Sequence, residues 1–113
     1  MRFALSALIL IAATSGAYAA KNTRFWNLTE NTITSLQLAP TGTDKWGENQ
    51  TKNDKDNAVD HDERLKIIGA SDGNYDVRFS DDKGRTCVVK NISIKEGDVF
   101  SIEEKQLTGC LKK

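Results

Sequence analysis

Hydrophobic and polar residues alternate along several short stretches of this chain, and clusters of Gly, Asn and Asp separate these stretches. A period of two places apolar side chains on one face of a β-strand, whereas an amphipathic helix needs a period near 3.6 residues. The clearest stretch is 74–80, where Tyr75, Val77 and Phe79 share one face. No long stretch has the helical period, so the pattern predicts an all-β domain.

Six stretches carry strand character. The predicted strands are Thr23–Thr29, Ile33–Ala39, Arg64–Gly69, Asn74–Ser80, Thr86–Ile94 and Val99–Glu103. Short turns separate the last three, which predicts a three-stranded antiparallel meander. About six strands in so short a chain must stack or curl to bury their apolar faces. The sequence therefore predicts a small antiparallel β-sandwich or a partly open barrel.

In the longest predicted strand, Thr86–Ile94, strict alternation also assigns side chains to the two faces. It places Val88, Ile92 and Ile94 on one face, with Cys87 and Val89 on the other. Such an assignment holds only if the strand is regular from end to end, because one inserted residue reverses every later side chain.

The amino terminus has the pattern of a secretory leader: Arg2, an apolar run over 3–13, and small residues at Ala17 and Ala19. This predicts a signal peptide over 1–19, a single β-rich domain over 20–113, and a bacterial periplasmic or secreted location. The apolar run is shorter than the ~18 residues that a membrane span requires, so no span is predicted. An uncleaved anchor helix is the alternative.

The charge balance restricts the classes of partner. The chain has 16 basic and 16 acidic side chains, and loss of Arg2 with the leader leaves 15 against 16, a net charge of −1. A nearly neutral surface argues against nucleic acid and against anionic lipid as partners.

Both cysteines, Cys87 and Cys110, lie in the predicted exported part. An oxidising compartment would join them, and the closed loop would stabilise the fold by roughly 3 kcal/mol. A redox or metal-binding pair is the alternative, but the chain contains no C-x-x-C motif. We therefore predict one structural disulfide.

The longest part of the chain without strand character is residues 40–63. Long loops in small domains are often functional or disordered. Trp46 indicates order, since an indole in a polar loop usually packs back on the core. The alternative is an exposed Trp46 that contacts a ligand or partner.

Five carboxylates fall within ten residues of this loop: Asp54, Asp56, Asp60, Asp62 and Glu63. Hard cations prefer several oxygen ligands, and a loop can deliver them from nearby positions. We predict that these acids bind Ca²⁺ or a trivalent lanthanide. An EF-hand is excluded, because the matching register puts Lys52 at the first ligand position and no helical pattern flanks the loop.

Other interpretations of the acidic loop stay open. The acids can simply be solvated, since neighbouring charges in water repel by only ~1 kcal/mol. His61 would join Zn²⁺ or Cu²⁺ with two carboxylates, although the chain has no second histidine. We predict no enzyme, because the sequence has neither a nucleophile motif nor a phosphate-binding loop. The alternative function is an envelope module that contacts another protein and binds no ion.

Several short motifs together resemble a known group of sequences. They are Phe25–Thr29, Trp46–Gly47, Asp60–Leu65, Tyr75–Arg78 and the G-R-x-C motif ending at Cys87. The combination resembles small exported bacterial β-rich proteins of unassigned function. This resemblance covers essentially the whole predicted exported part. It implies a compact β domain and implies no activity.

Overall fold

A computed structural model describes residues 22–112. It contains seven strands: β1 Thr23–Leu28, β2 Ile33–Pro40, β3 Arg64–Ile67, β4 Gly73–Asp81, β5 Arg85–Ile94, β6 Val99–Glu103 and β7 Cys110–Lys112. Two short 3-10 helices, Gln50–Asn53 and Glu104–Gln106, complete the regular structure. The all-β prediction is confirmed, and β7 adds to the six predicted strands. The predicted signal peptide, 1–19, lies outside the described residues.

The strands form two sheets. The three-stranded sheet has the order β3-β1-β6 and the four-stranded sheet the order β2-β4-β5-β7. All neighbours are antiparallel except β1 and β6, which run parallel. Apolar side chains from both sheets meet in one core, as in a β-sandwich. The largest fully buried side chains among them are Phe25, Phe79, Ile33, Leu36, Leu65, Ile94 and Ile102.

The predicted meander of the last three strands is wrong. β6 does not return to β5 but crosses to the other sheet, where it pairs with β1. Packing accounts for the crossing, because Phe100 of β6 lies against Phe25 of β1 with ring centroids 5.5 Å apart. Alternation along a strand reports which side chains are buried, but it does not report which sheet receives the strand.

The predicted faces of β5 are also partly wrong. Cys87 and Val89 share the core-facing side of the strand, in agreement with their predicted common face. Ile92 and Ile94, predicted on the other face, also point into the core. The pairing with β4 shifts by one residue between Val89 and Ile92, and Asn91 has a φ of +62°. This β-bulge inserts one residue and so reverses the side chains that follow it.

The predicted disulfide is confirmed. Cys87 of β5 and Cys110 of β7 are bonded, and both cysteines of the chain are thereby used. The bond holds β7 on the edge of the four-stranded sheet. Within residues 22–112, no helix has the length and the apolar character needed to cross a membrane.

Candidate functional site

Four of the five acids predicted to bind a cation, Asp54, Asp60, Asp62 and Glu63, accept hydrogen bonds from separate donors. Asp54 Oδ2 accepts a hydrogen bond of 2.8 Å from the backbone N–H of Asp56. Asp60 Oδ1 accepts one of 3.0 Å from Thr32 Oγ1. These contacts are those of a folded loop, in which side chains terminate turns and fasten the loop to β2.

Asp62 and Glu63 also accept hydrogen bonds. Asp62 Oδ1 accepts a hydrogen bond of 2.9 Å from Trp26 Nε1, and Glu63 Oε1 accepts one of 2.9 Å from the backbone N–H of Asp60. Within residues 22–112, no group of three or more His, Cys, Asp or Glu side chains is placed to hold a metal ion. The predicted Ca²⁺ or lanthanide site stays a prediction that these positions do not support.

His61 has a structural contact of its own. Its Nδ1 lies 2.7 Å from the carbonyl oxygen of Thr29, so the ring donates to that oxygen. The backbone beside it is also fastened, because Asp62 N–H donates to the carbonyl of Asn27. The turn that carries His61 is thus held against the end of β1.

The segment 47–59 closes the free edge of β2. Ile33 and Val59 exchange two backbone hydrogen bonds of 2.9 and 2.8 Å. Further along the strand, Asn49 Oδ1 accepts from the N–H of Leu36. An edge strand exposes unpaired backbone groups, and this segment satisfies them within the chain.

The same segment closes the edge of β3 on the other sheet. The side chain of Gln50 donates to the carbonyl of Ile68 at 2.9 Å and accepts from its N–H at 3.0 Å. Asn53 donates to the carbonyl of Lys66 at 2.9 Å. Polar side chains of the long loop therefore bridge the two sheets along one whole side.

This closure leaves a cleft at one end of the sandwich, with a volume of about 620 Å³. Such a volume falls in the range of small-molecule sites. Leu38 and Ala70 form its apolar floor with the ring of Tyr75, and Ile68, which is 56% exposed, stands at the rim. The lining residues are Leu38, Pro40, Lys45, Gly47, Glu48, Gln50, Lys52, Asn53, Ile68, Gly69, Ala70 and Tyr75.

Hydrogen bonds hold the walls of the cleft in place. Gly47 N–H donates to the carbonyl of Leu38 at 2.9 Å, and its own carbonyl accepts from Gln37 Nε2 at 3.0 Å. On the opposite wall, the pair of bonds between Gln50 and Ile68 fixes the chain just before Gly69. Gly69 has a φ of +84°, a conformation that favours glycine. The cleft is therefore preformed.

The rim carries two lysines, Lys45 and Lys52, and one glutamate, Glu48, so its positive and negative charges do not cancel. Glu48 and Lys52 form an ion pair across one turn of the chain. Lys45, an exposed side chain on the same rim, has no ion-pair partner within residues 22–112. The cleft thus combines an apolar floor with one uncompensated positive charge.

A buried carboxylate supports the loop that carries Lys45. Asp76 is 6% exposed and accepts hydrogen bonds from Thr41 Oγ1 at 3.1 Å, Gly42 N–H at 3.2 Å and Asn91 N–H at 3.0 Å. Burial raises the pKa of Asp76, but these bonds and the charge of Lys90 outweigh it and hold the pKa below its usual value. Asp76 thus anchors both the start of the loop and the bulge of β5.

Trp46, the predicted partner contact, lies outside the cleft. The guanidinium of Arg78 stacks on its ring at 4.4 Å, and Gln37 Oε1 accepts from the same guanidinium at 2.9 Å. The indole is partly buried on the outer face of the four-stranded sheet. It packs on the sheet surface instead of the core, which corrects the prediction of core packing.

The predicted segment 40–63 coincides with only part of the candidate site. The prediction that residues 40–63 matter includes Lys45, Gln50 and Asn53, but it emphasised the acids beyond them. It does not include the opposite wall, Ile68–Ala70, because the predicted strand Arg64–Gly69 takes in Ile68 and Gly69. An isoleucine followed directly by glycine at the end of a predicted strand was the signal available in the sequence. No protein-family model, curated protein or solved structure matches the chain.

Proposed function

We propose that this protein is a small exported binding protein whose cleft takes up an organic molecule with an apolar body and one anionic group. The protein acts without catalysis in this proposal. The observation that carries it is the combination of a cleft that has an apolar floor with the unpaired cation of Lys45 at its rim. Pockets of this kind use apolar walls for affinity and a few polar groups for orientation.

Each part of the ligand has a counterpart in the cleft. Covering Ile68 and the floor beside Leu38 removes apolar surface from water, which stabilises the complex by about 25 cal/mol per Å² before ordering costs. The anionic group lies beside Lys45, where the neighbouring Glu48 is already paired with Lys52. Preformed walls lower the cost of ordering the site.

Two features support export. The amino-terminal pattern is that of a secretory leader, and the disulfide Cys87–Cys110 forms readily in an oxidising compartment. A periplasmic or secreted protein of this size can meet small organic acids directly. The proposal needs neither a metal ion nor a nucleic acid.

The test is an NMR titration of the disulfide-bonded protein with two probes of the same shape, 3-phenylpropanoate and 3-phenylpropanamide. We expect saturable shifts at the backbone amides of Gly47, Gly69 and Ala70. We also expect the acid to bind about tenfold more tightly than the amide, because only the acid pairs with Lys45.

Two variants make this test specific. Lys45→Gln should reduce the affinity for the acid to that for the amide, whereas Lys95→Gln, in the turn before β6, should leave both affinities unchanged. Ile68→Ala should weaken both probes alike, because it removes apolar contact alone. Equal affinity for acid and amide, or shifts spread over residues far from the cleft, would overturn the proposal.

A further inference from the structure

The four edges of the two sheets differ in how well they are protected against pairing with further strands. A proposal based on this difference does not depend on the cleft. The edges of β2 and β3 lie on the same side of the sandwich, and the segment 47–59 covers both. The opposite side is formed by β6 and β7. Natural β proteins usually protect exposed edges, because an unpaired edge recruits other strands.

The edge at β7 is protected by its own sequence. The strand has three residues, Cys110–Lys112, and it ends in an exposed lysine. A second lysine, Lys113, follows in the sequence. Short length and charged residues are common devices against edge pairing.

The edge at β6 is less protected, since its one charged residue, Glu103, stands at the last position of the strand. The strand Val99–Glu103 has five residues with no Lys and no Pro, and no bulge interrupts its pairing. Within the described residues it pairs with β1 alone. Val99 is 45% exposed, one of the most exposed large apolar side chains in this part of the chain.

The direction of the backbone groups follows from the register. Arg24 N–H donates to the carbonyl of Asp98, and β1 pairs with β6 in parallel. Phe100 and Ile102 therefore direct their N–H and C=O groups toward β1, while Val99 and Ser101 direct theirs outward. The outward N–H of Glu103 is already bonded to Gln106 Oε1 at 2.8 Å.

We propose that β6 pairs antiparallel with β6 of a second copy of this chain. A twofold axis at Phe100 sets Val99 opposite Ser101 of the partner, and Ser101 opposite Val99 of the partner. Both pairs are then of the hydrogen-bonded kind, so all four outward groups of each strand are satisfied. The two three-stranded sheets become one continuous sheet of six strands.

Two features favour a second copy as the occupant. The edge is complementary to itself. Under the twofold axis Val99 of each strand lies opposite Ser101 of the other, and each of these residues offers one N–H and one C=O group. The predicted exported part has 15 basic and 16 acidic side chains, a net charge of only −1, so two copies approach with little long-range repulsion. Pairing also covers part of the exposed Val99 side chain with the partner strand.

The experiment is sedimentation velocity of the disulfide-bonded protein over a concentration range from about 10 μM to 1 mM, which covers weak interfaces. We expect the mass to rise from one copy to two. Ser101→Pro removes an outward N–H and leaves the N–H groups of Phe100 and Ile102 that face β1. This variant should raise the dimer dissociation constant at least about tenfold, whereas Ser101→Ala should not change it.

Val99→Lys provides a second variant, since it places an edge lysine without altering the backbone. It should weaken dimerisation even if the proline variant fails to fold. Amide hydrogen exchange supplies a site-specific measurement: Val99 and Ser101 should exchange more slowly at high concentration, while Phe100 and Ile102 should be protected throughout. A protein that stays monomeric at 1 mM, or a Val99→Lys variant that dimerises as the unmodified protein does, would overturn the proposal.

Discussion

Asp62 and Trp26 are joined by a hydrogen bond of 2.9 Å across 36 residues of sequence. The indole donates to the carboxylate, and Arg64 covers the ring at 4.2 Å. Asp62 also has a φ of +70°, which a non-glycine residue adopts only at some cost. An acid that the sequence presents as a metal ligand therefore serves to fix the turn before β3.

The first prediction concerns this turn. Asp62→Ala should lower the free energy of unfolding by about 1 to 2 kcal/mol, because it removes the acceptor for Trp26 and a side chain that tolerates positive φ. Asp62→Asn should cost less, since the amide oxygen still accepts and Asn tolerates that backbone. Urea unfolding measures both. Asp56→Ala is the matched control and should change stability by less than about 0.5 kcal/mol, so equal losses at the two positions would contradict the assignment.

The second prediction tests the cation site that the sequence suggests. An ion that draws Asp60 and Asp62 to a shared point would disturb their hydrogen bonds from Thr32 Oγ1 and Trp26 Nε1. Binding should therefore change tryptophan fluorescence at the same ion concentration that raises the melting temperature. An ion at 100 times its Kd stabilises the folded state by about 2.7 kcal/mol. If neither signal responds to Ca²⁺ or La³⁺ relative to a chelator, the cation site is excluded.

The third prediction concerns Arg85, which bridges two carboxylates. Its Nε lies 2.8 Å from Asp81 Oδ2, and its Nη1 lies 2.7 Å from Glu104 Oε2. The side chain of Asp81 is fully buried. Arg85→Met should lower the free energy of unfolding by about 3 kcal/mol, because it leaves Asp81 without its cation. Lys105→Met, at an exposed pair with Glu103, is the control and should cost under about 1 kcal/mol.

The same network predicts a dependence on pH. Burial raises the pKa of Asp81, but hydrogen bonds from Arg85, Asn31 and two backbone amides outweigh it and leave the pKa below 3.8. The hydrogen bond from Arg85 holds the pKa of Glu104 below 4.5. The unfolded chain therefore binds more protons in acid, so the stabilisation is complete at neutral pH and is lost as the pH falls below about 4.5. Arg85→Met should flatten this dependence in urea unfolding at pH 7 and pH 3.

The fourth prediction concerns Asp76. Asp76→Ala removes the acceptor of three hydrogen bonds and should lower the free energy of unfolding by about 2 to 3 kcal/mol. Since the loop beyond Gly42 carries Lys45, the variant should also weaken binding of 3-phenylpropanoate in the cleft. Asp82→Ala, at an exposed turn, is the control for both measurements. If the Asp76→Ala protein is destabilised but binds the probe with unchanged affinity, the prediction that Asp76 supports binding in the cleft is wrong.

The agreement between prediction and structure is closest where the determining contacts are local. Alternation in β4 identified Tyr75, Val77 and Phe79 as one face, and the flanking turns identified its ends. The disulfide followed from two cysteines and a predicted compartment. Each of these inferences needs only neighbouring residues or a single possible pairing.

The errors arise where one local pattern is compatible with several arrangements. The alternation of β5 breaks at Lys90 and Asn91, but this break alone does not specify a bulge, which is held by Asp76 of the neighbouring strand accepting from the Asn91 N–H. The acids of the loop look like a cluster along the chain. In the fold Asp60 and Asp62 instead accept hydrogen bonds from Thr32 and Trp26, which lie 28 and 36 residues away.

Local patterns in the sequence were sufficient to predict that this chain forms short strands, that they bury one face each, and that its two cysteines pair. These properties depend on the period of apolar residues and on the chemistry of two side chains. Long-range packing, in contrast, places β6 beside β1 and brings Gln50 to Ile68, where the two shape the cleft. Both contacts join residues far apart in the chain, and their free energy depends on which surfaces meet, a choice that no local pattern specifies.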